Sequence, residues 1–394
     1  MVEGGDTDYL FVFSAAGVRA FYALVETEVS KGMADWRMLR RKLPDELFLG
    51  RRTLPHDFFG RAEVSDYLHV LEDVVTAMVD DLGPSGTFDV FGLTRTLGHR
   101  LGLGSWAGRE TLDHDRFDEL IRALDELDGS AAFVRPEELA TVAATDKEAE
   151  RAAMATVEKI LGDTIRSRRR RRRHDLLQRI VDRWRDADEP EAVQGTARDV
   201  ILLHLGSMSN LFAALGWTIA DLIAHDDHRL RVLTADDPAH LERCALESTR
   251  LAQRSIMLRE VMAPIELDDG DTTWRLGPGV TVATLLPLTN TSAAPGLDRY
   301  DPDRWRGRRL AEPPAARELV TVFGHGPHTC PAQPFSLSAM ALVVGRLFGT
   351  YELEARYPSI EPRPGQIGGV ARAASPCPVA YQRRSEATTN PAAW

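Results

Sequence analysis

Apolar positions recur with helical spacing through most of the chain. In residues 63–82 they lie three or four positions apart, opposite an acidic face, which predicts an amphipathic helix. Residues 147–166 and 174–186 follow the same pattern. Residues 197–225 are apolar almost all round, which is typical of a helix buried in the core of a large domain. The pattern therefore predicts a mainly helical protein.

Small and polar residues interrupt the middle of the longest apolar segment. Gly206, Ser207, Ser209 and Asn210 lie close together there. Such residues weaken a helix, so the interruption predicts either a kink or the wall of a pocket.

The pattern changes after residue 255. Residues 255–300 contain short β-type runs separated by Gly and Pro, which predicts a small sheet of hairpins beside the helices. A helix is expected again over 335–350, followed by terminal strands. We therefore expect an α+β protein, mainly α with a small β region. It should form a single domain over residues 8–382, with a disordered tail over 383–394.

Six consecutive arginines, residues 168–173, lie between two predicted helices. Because runs of like charge are usually exposed, we interpret this run as a solvated interhelical loop. A docking surface for an acidic partner is the alternative.

Composition narrows the class of protein. The 394 residues carry a net charge of −11, which argues against binding to nucleic acid or to anionic membranes. The three cysteines are far apart and form no C-x-x-C pair, which indicates a reducing compartment rather than a disulfide framework. We find no signal-peptide pattern and no long uninterrupted apolar window, so we expect a cytoplasmic protein with no membrane anchor.

The segment FGHGPHTCPAQPF, residues 323–335, carries the clearest chemistry. Its glycines allow a tight turn that brings main-chain N–H groups close to the Cys330 sulfur. These groups, with the N-terminus of the following helix, stabilise a thiolate. An inert buried thiol is the alternative for an isolated cysteine.

This loop resembles the haem-binding signature of the cytochrome P450 family. The matching residues are Phe323, Gly324, Gly326, His328 and Cys330. The resemblance implies the triangular P450 fold, a haem b cofactor (iron protoporphyrin IX) and Cys330 as the metal ligand. It also implies that Phe323 packs near the sulfur and that His328 contacts a haem propionate. Ala332 stands where the family usually has Gly.

Three further elements resemble the family. Glu247 and Arg250 share one helix face at i and i+3, as in the family's E-x-x-R motif. With Arg304 they would form a structural charge network. Arg259 occupies the place of a propionate-binding arginine, although a solvated strand residue is the alternative. The residues that the resemblance implies for the substrate pocket are Met208, Phe212, Ile256 and Met257, which suggest an apolar ligand.

The central helix departs from the family pattern. Ser209 stands at the position of an acid and Asn210 at that of a threonine, a pair that usually relays protons during oxygen activation. Neither residue is an acid near pH 7, although both can hold water by hydrogen bonds. Three functions remain open. They are a monooxygenase in which Ser209 and Asn210 are the catalytic residues, a haem-thiolate isomerase, dehydratase or peroxygenase, and a non-catalytic haem or ligand-binding protein.

For the monooxygenase, the resemblance implies an external source of electrons. The expected partners are a ferredoxin and a ferredoxin reductase, and the expected substrate is an apolar small molecule of specialised metabolism.

Overall fold

The computed structural model describes residues 1–4, 7–128, 136–234, 237–307 and 318–385. In chain order its α-helices are α1 (Ala15–Ala23), α2 (Lys31–Leu39), α3 (Arg61–Leu82), α4 (Val90–Trp106), α5 (Phe117–Leu127), α6 (Pro136–Ala144), α7 (Glu148–Arg170), α8 (Leu176–Arg183), α9 (Glu189–Ala224), α10 (Asp226–Thr234), α11 (His240–Ala252), α12 (Leu286–Ser292) and α13 (Gln333–Thr350). The strands are β1 (Val2–Gly4), β2 (Thr7–Phe11), β3 (Val29–Ser30), β4 (Ser85–Asp89), β5 (Ile256–Val261), β6 (Ile265–Asp268), β7 (Thr273–Leu276), β8 (Thr281–Leu285), β9 (Tyr351–Ala355) and β10 (Pro378–Arg383).

The apolar helix α9 runs through the centre of the fold. Its first turn is fixed by Asp188, whose carboxylate accepts a hydrogen bond from the Glu191 amide at 2.9 Å. Its side chains pack against α4, α7, α11 and α13. By length and composition this helix could span a membrane, but 67% of its most apolar window is buried inside the protein, as is usual for a core helix. The helix is continuous through Gly206 and Asn210.

The strands form three small sheets among the described residues. The largest has the order β1-β2-β8-β5-β3, in which β2 and β8 are parallel and the other pairs antiparallel. A second sheet has the order β4-β10-β9, and β6 pairs with β7 in a hairpin. The main core lies among the helices, whereas a separate apolar cluster lies between α1 and the largest sheet. The predicted mainly α protein with a small β region is therefore confirmed.

The arginine run differs from its predicted conformation. Residues 168–170 are the last turn of α7 and not a loop. Arg168 is buried, where it forms ion pairs with Glu110 at 2.8 Å and Asp175 at 2.7 Å. Arg172 and Arg173 pair with Asp182 and Glu110. Residues 171–173 lie between α7 and α8 and are exposed, so the predicted solvated loop holds for the second half of the run and is wrong for the first half.

The carboxyl end also differs from the expected domain boundary. Strand β10 extends to Arg383, and the Arg384 amide donates to the Thr350 carbonyl at 2.9 Å. Ordered structure therefore continues beyond residue 382. The remainder of the expected disordered tail, residues 386–394, lies outside the described residues.

Candidate active site

The loop that carries Cys330 is a tight turn held by its own main chain. The Cys330 amide donates to the Phe323 carbonyl at 2.7 Å, and residues Gly326–His328 form one short 3₁₀ turn. Gly324 has φ of +79°, and a Cβ there would lie 3.1 Å from the His328 carbonyl oxygen. A side chain at this position would therefore be strained, which explains the glycine.

The sulfur of Cys330 receives main-chain hydrogen bonds from the start of α13. Burial raises the pKa of the Cys330 thiol, and hydrogen bonds from the amides of Ala332 and Gln333 offset part of that rise. The side chain remains partly exposed and is not enclosed like Cys244 or Cys377. A thiolate with helix N-terminal donors and an open side is suited to bind a metal ion.

Two buried side chains, one on α12 and one at the end of α11, hold the residues directly before this loop, and the sequence analysis missed both. The Asn290 side chain donates to the Thr321 carbonyl at 3.0 Å and accepts from the Thr321 amide at 2.9 Å. Gln253 donates to the Val322 carbonyl at 3.1 Å. The sequence gives no local signal for these contacts, because each joins segments at least 31 residues apart.

The structure brings Glu247, Arg250 and Arg304 together. Arg250 donates to the Glu247 carboxylate at 2.7 and 2.9 Å, and Arg304 donates to it at 2.7 Å. Trp305 adds an indole N–H at 2.9 Å, another contact that the sequence analysis missed. Glu247 and Arg250 are fully buried. Both oxygens of the Glu247 carboxylate thus accept hydrogen bonds, as a buried charge requires.

Arg259 and His328 lie in one polar cluster beside the Cys330 loop. Arg259 is 2% exposed and donates to the Leu24 carbonyl at 2.7 Å, but no carboxylate of the described residues lies within 4.0 Å of its guanidinium. Glu26 is the nearest carboxylate that acts on it, and a buried cation with no direct ion pair fits an incoming carboxylate. His328 Nε2 lies 2.9 Å from a Glu26 carboxylate oxygen, on the connection between α1 and α2. The same Glu26 accepts hydrogen bonds from the first residues of α2.

Helix α9 presents its more open face through Leu202, Leu205, Gly206, Ser209 and Asn210. A Cβ added to Gly206 would meet nothing within 4 Å, so open space adjoins the helix there. The Asn210 side-chain oxygen accepts the Val370 amide at 3.0 Å, which ties this face to the segment before β10. Ser209 and Asn210 therefore lie on the side of α9 where a ligand has room.

Two of the expected pocket residues lie on the side of α9 that faces α4. Met208 and Phe212 are buried there, next to Gly102 and Gly98, and Phe212 lines a small cavity between the two helices. Their assignment to the substrate pocket stays a prediction. On β5, Ile256 and Met257 point to opposite faces, and Met257 packs against the apolar cluster between α1 and the largest sheet. Ile256 likewise stays a candidate for the pocket.

Comparison with known proteins identifies the architecture. No family model matches the chain. It superposes on the retinoic-acid-bound cyanobacterial CYP120A1 with a TM-score of 0.73 and 16% sequence identity, over 95% of this chain and 89% of that one. The chain has the cytochrome P450 fold.

Sequence relatives agree with this P450 assignment. The human 24-hydroxycholesterol 7-alpha-hydroxylase is 23% identical over 211 residues, which are 47% of this chain and 43% of that protein. A Mycobacterium tuberculosis protein named as cytochrome P450 135A1 is 27% identical over 194 residues, or 48% and 41% of the two chains. The matched region thus spans less than half the length of either relative. The resemblance to the P450 family drawn from the Cys330 loop is confirmed.

The residues at the site fit the haem b of P450 proteins. Cys330 offers a sulfur that receives two main-chain hydrogen bonds and would bind iron as a thiolate. The buried Arg259 forms no direct ion pair among the described residues, so its guanidinium would be available to a haem carboxylate. Phe323 packs at the edge of the main core beside Cys330.

Proposed function

We propose that this protein is a haem-thiolate monooxygenase that oxidises an apolar small molecule. The observation that carries the proposal is the Cys330 loop, in which glycine turns and two amides at the start of α13 surround a partly exposed sulfur that would bind iron as a thiolate. Arg259 and His328 would hold the haem carboxylates. When bound, a thiolate-ligated haem supplies electron density that favours O–O cleavage.

The protein's own contribution is orientation and proton supply. Ser209 and Asn210 replace the acid and threonine usual in the family, and neither ionises near pH 7. The Asn210 oxygen is engaged by the Val370 amide, so its N–H groups remain to donate. We propose that Asn210 and the Ser209 hydroxyl orient water on the open face of α9, and that this water delivers protons.

Leu202, Leu205 and Ile256 favour an apolar ligand beside these polar groups. Two proteins similar to this chain are named for a hydroxycholesterol and for retinoic acid, both largely apolar molecules. Electrons would come from a ferredoxin and its reductase in the cytoplasm.

The first test is the spectrum of the haem-loaded, dithionite-reduced protein with carbon monoxide. We expect a red-shifted thiolate-type band that Cys330→Ala abolishes. Cys377→Ser, which removes a buried thiol elsewhere, should keep the band. A protein that binds no haem, or that shows a histidine-type band, would contradict the proposal.

One observation favours a second function. Ser209 and Asn210 supply no ionisable proton donor. A haem-thiolate isomerase, dehydratase or peroxygenase does not need such a donor, so these residues are compatible with its activity. NADPH-driven dioxygen uptake with ferredoxin and reductase, decreased about 10²- to 10⁴-fold in Asn210→Ala, supports the monooxygenase. Turnover with peroxide or without any redox change, and unaffected by Asn210→Ala, supports the second function.

A further inference from the structure

Three metal-binding side chains meet between α10 and α11, away from the Cys330 loop. His240 and Cys244 lie one turn apart on α11, and His228 faces them from α10. His228 Nδ1 lies 3.2 Å from His240 Nε2, and that nitrogen lies 3.7 Å from Cys244 Sγ. All three donor atoms lie within 4.8 Å of one another. The proposed monooxygenase has no use for any of them.

These spacings can be compared with those of a tetrahedral zinc ion. With Zn–N of about 2.0–2.1 Å and Zn–S of about 2.3 Å, tetrahedral angles place two nitrogens about 3.4 Å apart and a nitrogen and a sulfur about 3.6 Å apart. The observed N–N separation of 3.2 Å and N–S separation of 3.7 Å are both close to these values. We propose that His228, His240 and Cys244 form a zinc site with a fourth position open to water.

Tyr300 links two of the proposed ligands. Its hydroxyl lies close to the Cys244 thiol and to the Ser248 hydroxyl, and Ser248 in turn lies close to the Asp221 carboxyl. The Tyr300 ring packs edge-on against the His228 ring, with centroids 5.7 Å apart. The three proposed ligands therefore belong to one buried polar cluster.

The protonation states of His240 and Cys244 determine how zinc binding depends on pH. Burial, with help from Arg231 and Arg243, lowers the pKa of His240 to about 4, so its imidazole is already neutral. Burial raises the pKa of the Cys244 thiol to about 12, although the Tyr300 hydroxyl, Arg243 and Arg231 oppose that rise. Zinc must therefore displace the thiol proton, and its binding should weaken as the pH falls.

One existing contact has to change when zinc binds. Arg243 Nη2 lies 3.2 Å from His240 Nδ1, but that nitrogen must carry the proton once Nε2 binds the ion. Arg243 already pairs with Asp237 and lies 3.9 Å from Asp303, so it keeps its counter-charges. Asp237 is also close enough to His240 to interact electrostatically. It is the carboxylate that would accept a hydrogen bond from Nδ1–H, as partners of metal-bound histidines do.

The test is a zinc titration of the chelator-treated protein against a chromophoric competitor. We expect one equivalent of tightly bound zinc, lost in Cys244→Ser and in His228→Gln. Asp237→Asn should weaken binding about 10- to 100-fold. Cys330→Ala and Cys377→Ser are matched controls, because each removes a thiol elsewhere, and both should retain the zinc. Zinc bound equally by wild type and Cys244→Ser, or lost in Cys377→Ser, would overturn the site.

Two further measurements separate loss of the site from loss of the fold. Cobalt bound at the site should show a thiolate charge-transfer band that is absent in Cys244→Ser and present in Cys377→Ser. Excess zinc should raise the unfolding temperature of the wild type but not that of His228→Gln, since a ligand stabilises only the state that binds it. The same rise in both proteins would contradict the proposal. None of these outcomes depends on haem.

Discussion

The carboxylate of Glu247 allows a quantitative test of the network that supports the Cys330 loop. It accepts five hydrogen bonds, from two nitrogens of Arg250, from Arg304 and Trp305 side chains, and from the Asp301 amide. In Glu247→Gln the side chain keeps its shape but loses its charge. One of its two ends becomes an N–H donor that faces other donors.

The expected loss of stability is large. Removing one partner of a buried ion pair costs about 3–5 kcal/mol, because the remaining charges are left uncompensated. Unfolding entropy is about 2.1 cal/mol/K per residue, so for 394 residues this loss lowers the unfolding temperature by about 4–6 °C. Glu266→Gln is the control, since its ion pair with Arg275 joins side chains that are 63% and 87% exposed. It should cost less than about 1 kcal/mol, or about 1 °C.

The assay is thermal unfolding of the three proteins, followed by circular dichroism under identical conditions. We expect Glu247→Gln to unfold at a clearly lower temperature than Glu266→Gln. If the two variants unfold within about 1 °C of each other, the buried network does not stabilise the fold in the way its geometry indicates.

Four other substitutions give distinct expectations. Gly195→Ala should destabilise by about 1–3 kcal/mol in urea unfolding, because a Cβ would lie 2.3 Å from the Trp184 ring. Gly206→Ala, on the same helix with open space beside it, should instead stabilise by up to about 1 kcal/mol, and equal effects would contradict the packing. Burial lowers the pKa of His204 to about 3, so the unfolded chain binds more protons below pH 6.5 and stability should fall as pH drops from 6.5 towards 3. His204→Gln should flatten that slope in unfolding measured from pH 7 to 5, and an unchanged slope would argue against it. If the proposed function holds, Glu26→Gln should bind haem about 2- to 5-fold more tightly in a titration of the apoprotein, because a rival carboxylate leaves His328. The exposed Glu28→Gln serves as its control, and weaker binding in Glu26→Gln would refute the competition.

The sequence predicted features that depend on neighbouring residues. The central helix, the hairpins after residue 255 and the turn around Cys330 all follow from local periodicity or glycine placement. Features that join distant segments could not be predicted in this way. The parallel pairing of β2 with β8 joins Tyr9 to Thr281, and neither strand carries a mark of the other.

The arginine run shows the same limit. Its charge predicts a loop throughout, whereas residues 168–170 continue α7, and Arg168 pairs with Glu110, which lies 58 residues away. Charge patterning along one segment cannot show that acids from another will neutralise it. A helix that is apolar all round likewise does not show which of its faces meets another helix, and Met208 and Phe212 lie against α4.

The Asn290 bridge has a consequence for protein engineering. Its one amide group satisfies both the N–H and the C=O of Thr321, and Gln253 binds the next carbonyl. The Cys330 loop therefore cannot be replaced independently of these two residues. A chimera that grafts this loop from a relative should fold well only when the residues at positions 253 and 290 are transferred with it. In recombination libraries, the crossover points should therefore lie outside residues 247–332, so that this segment always comes from one parent.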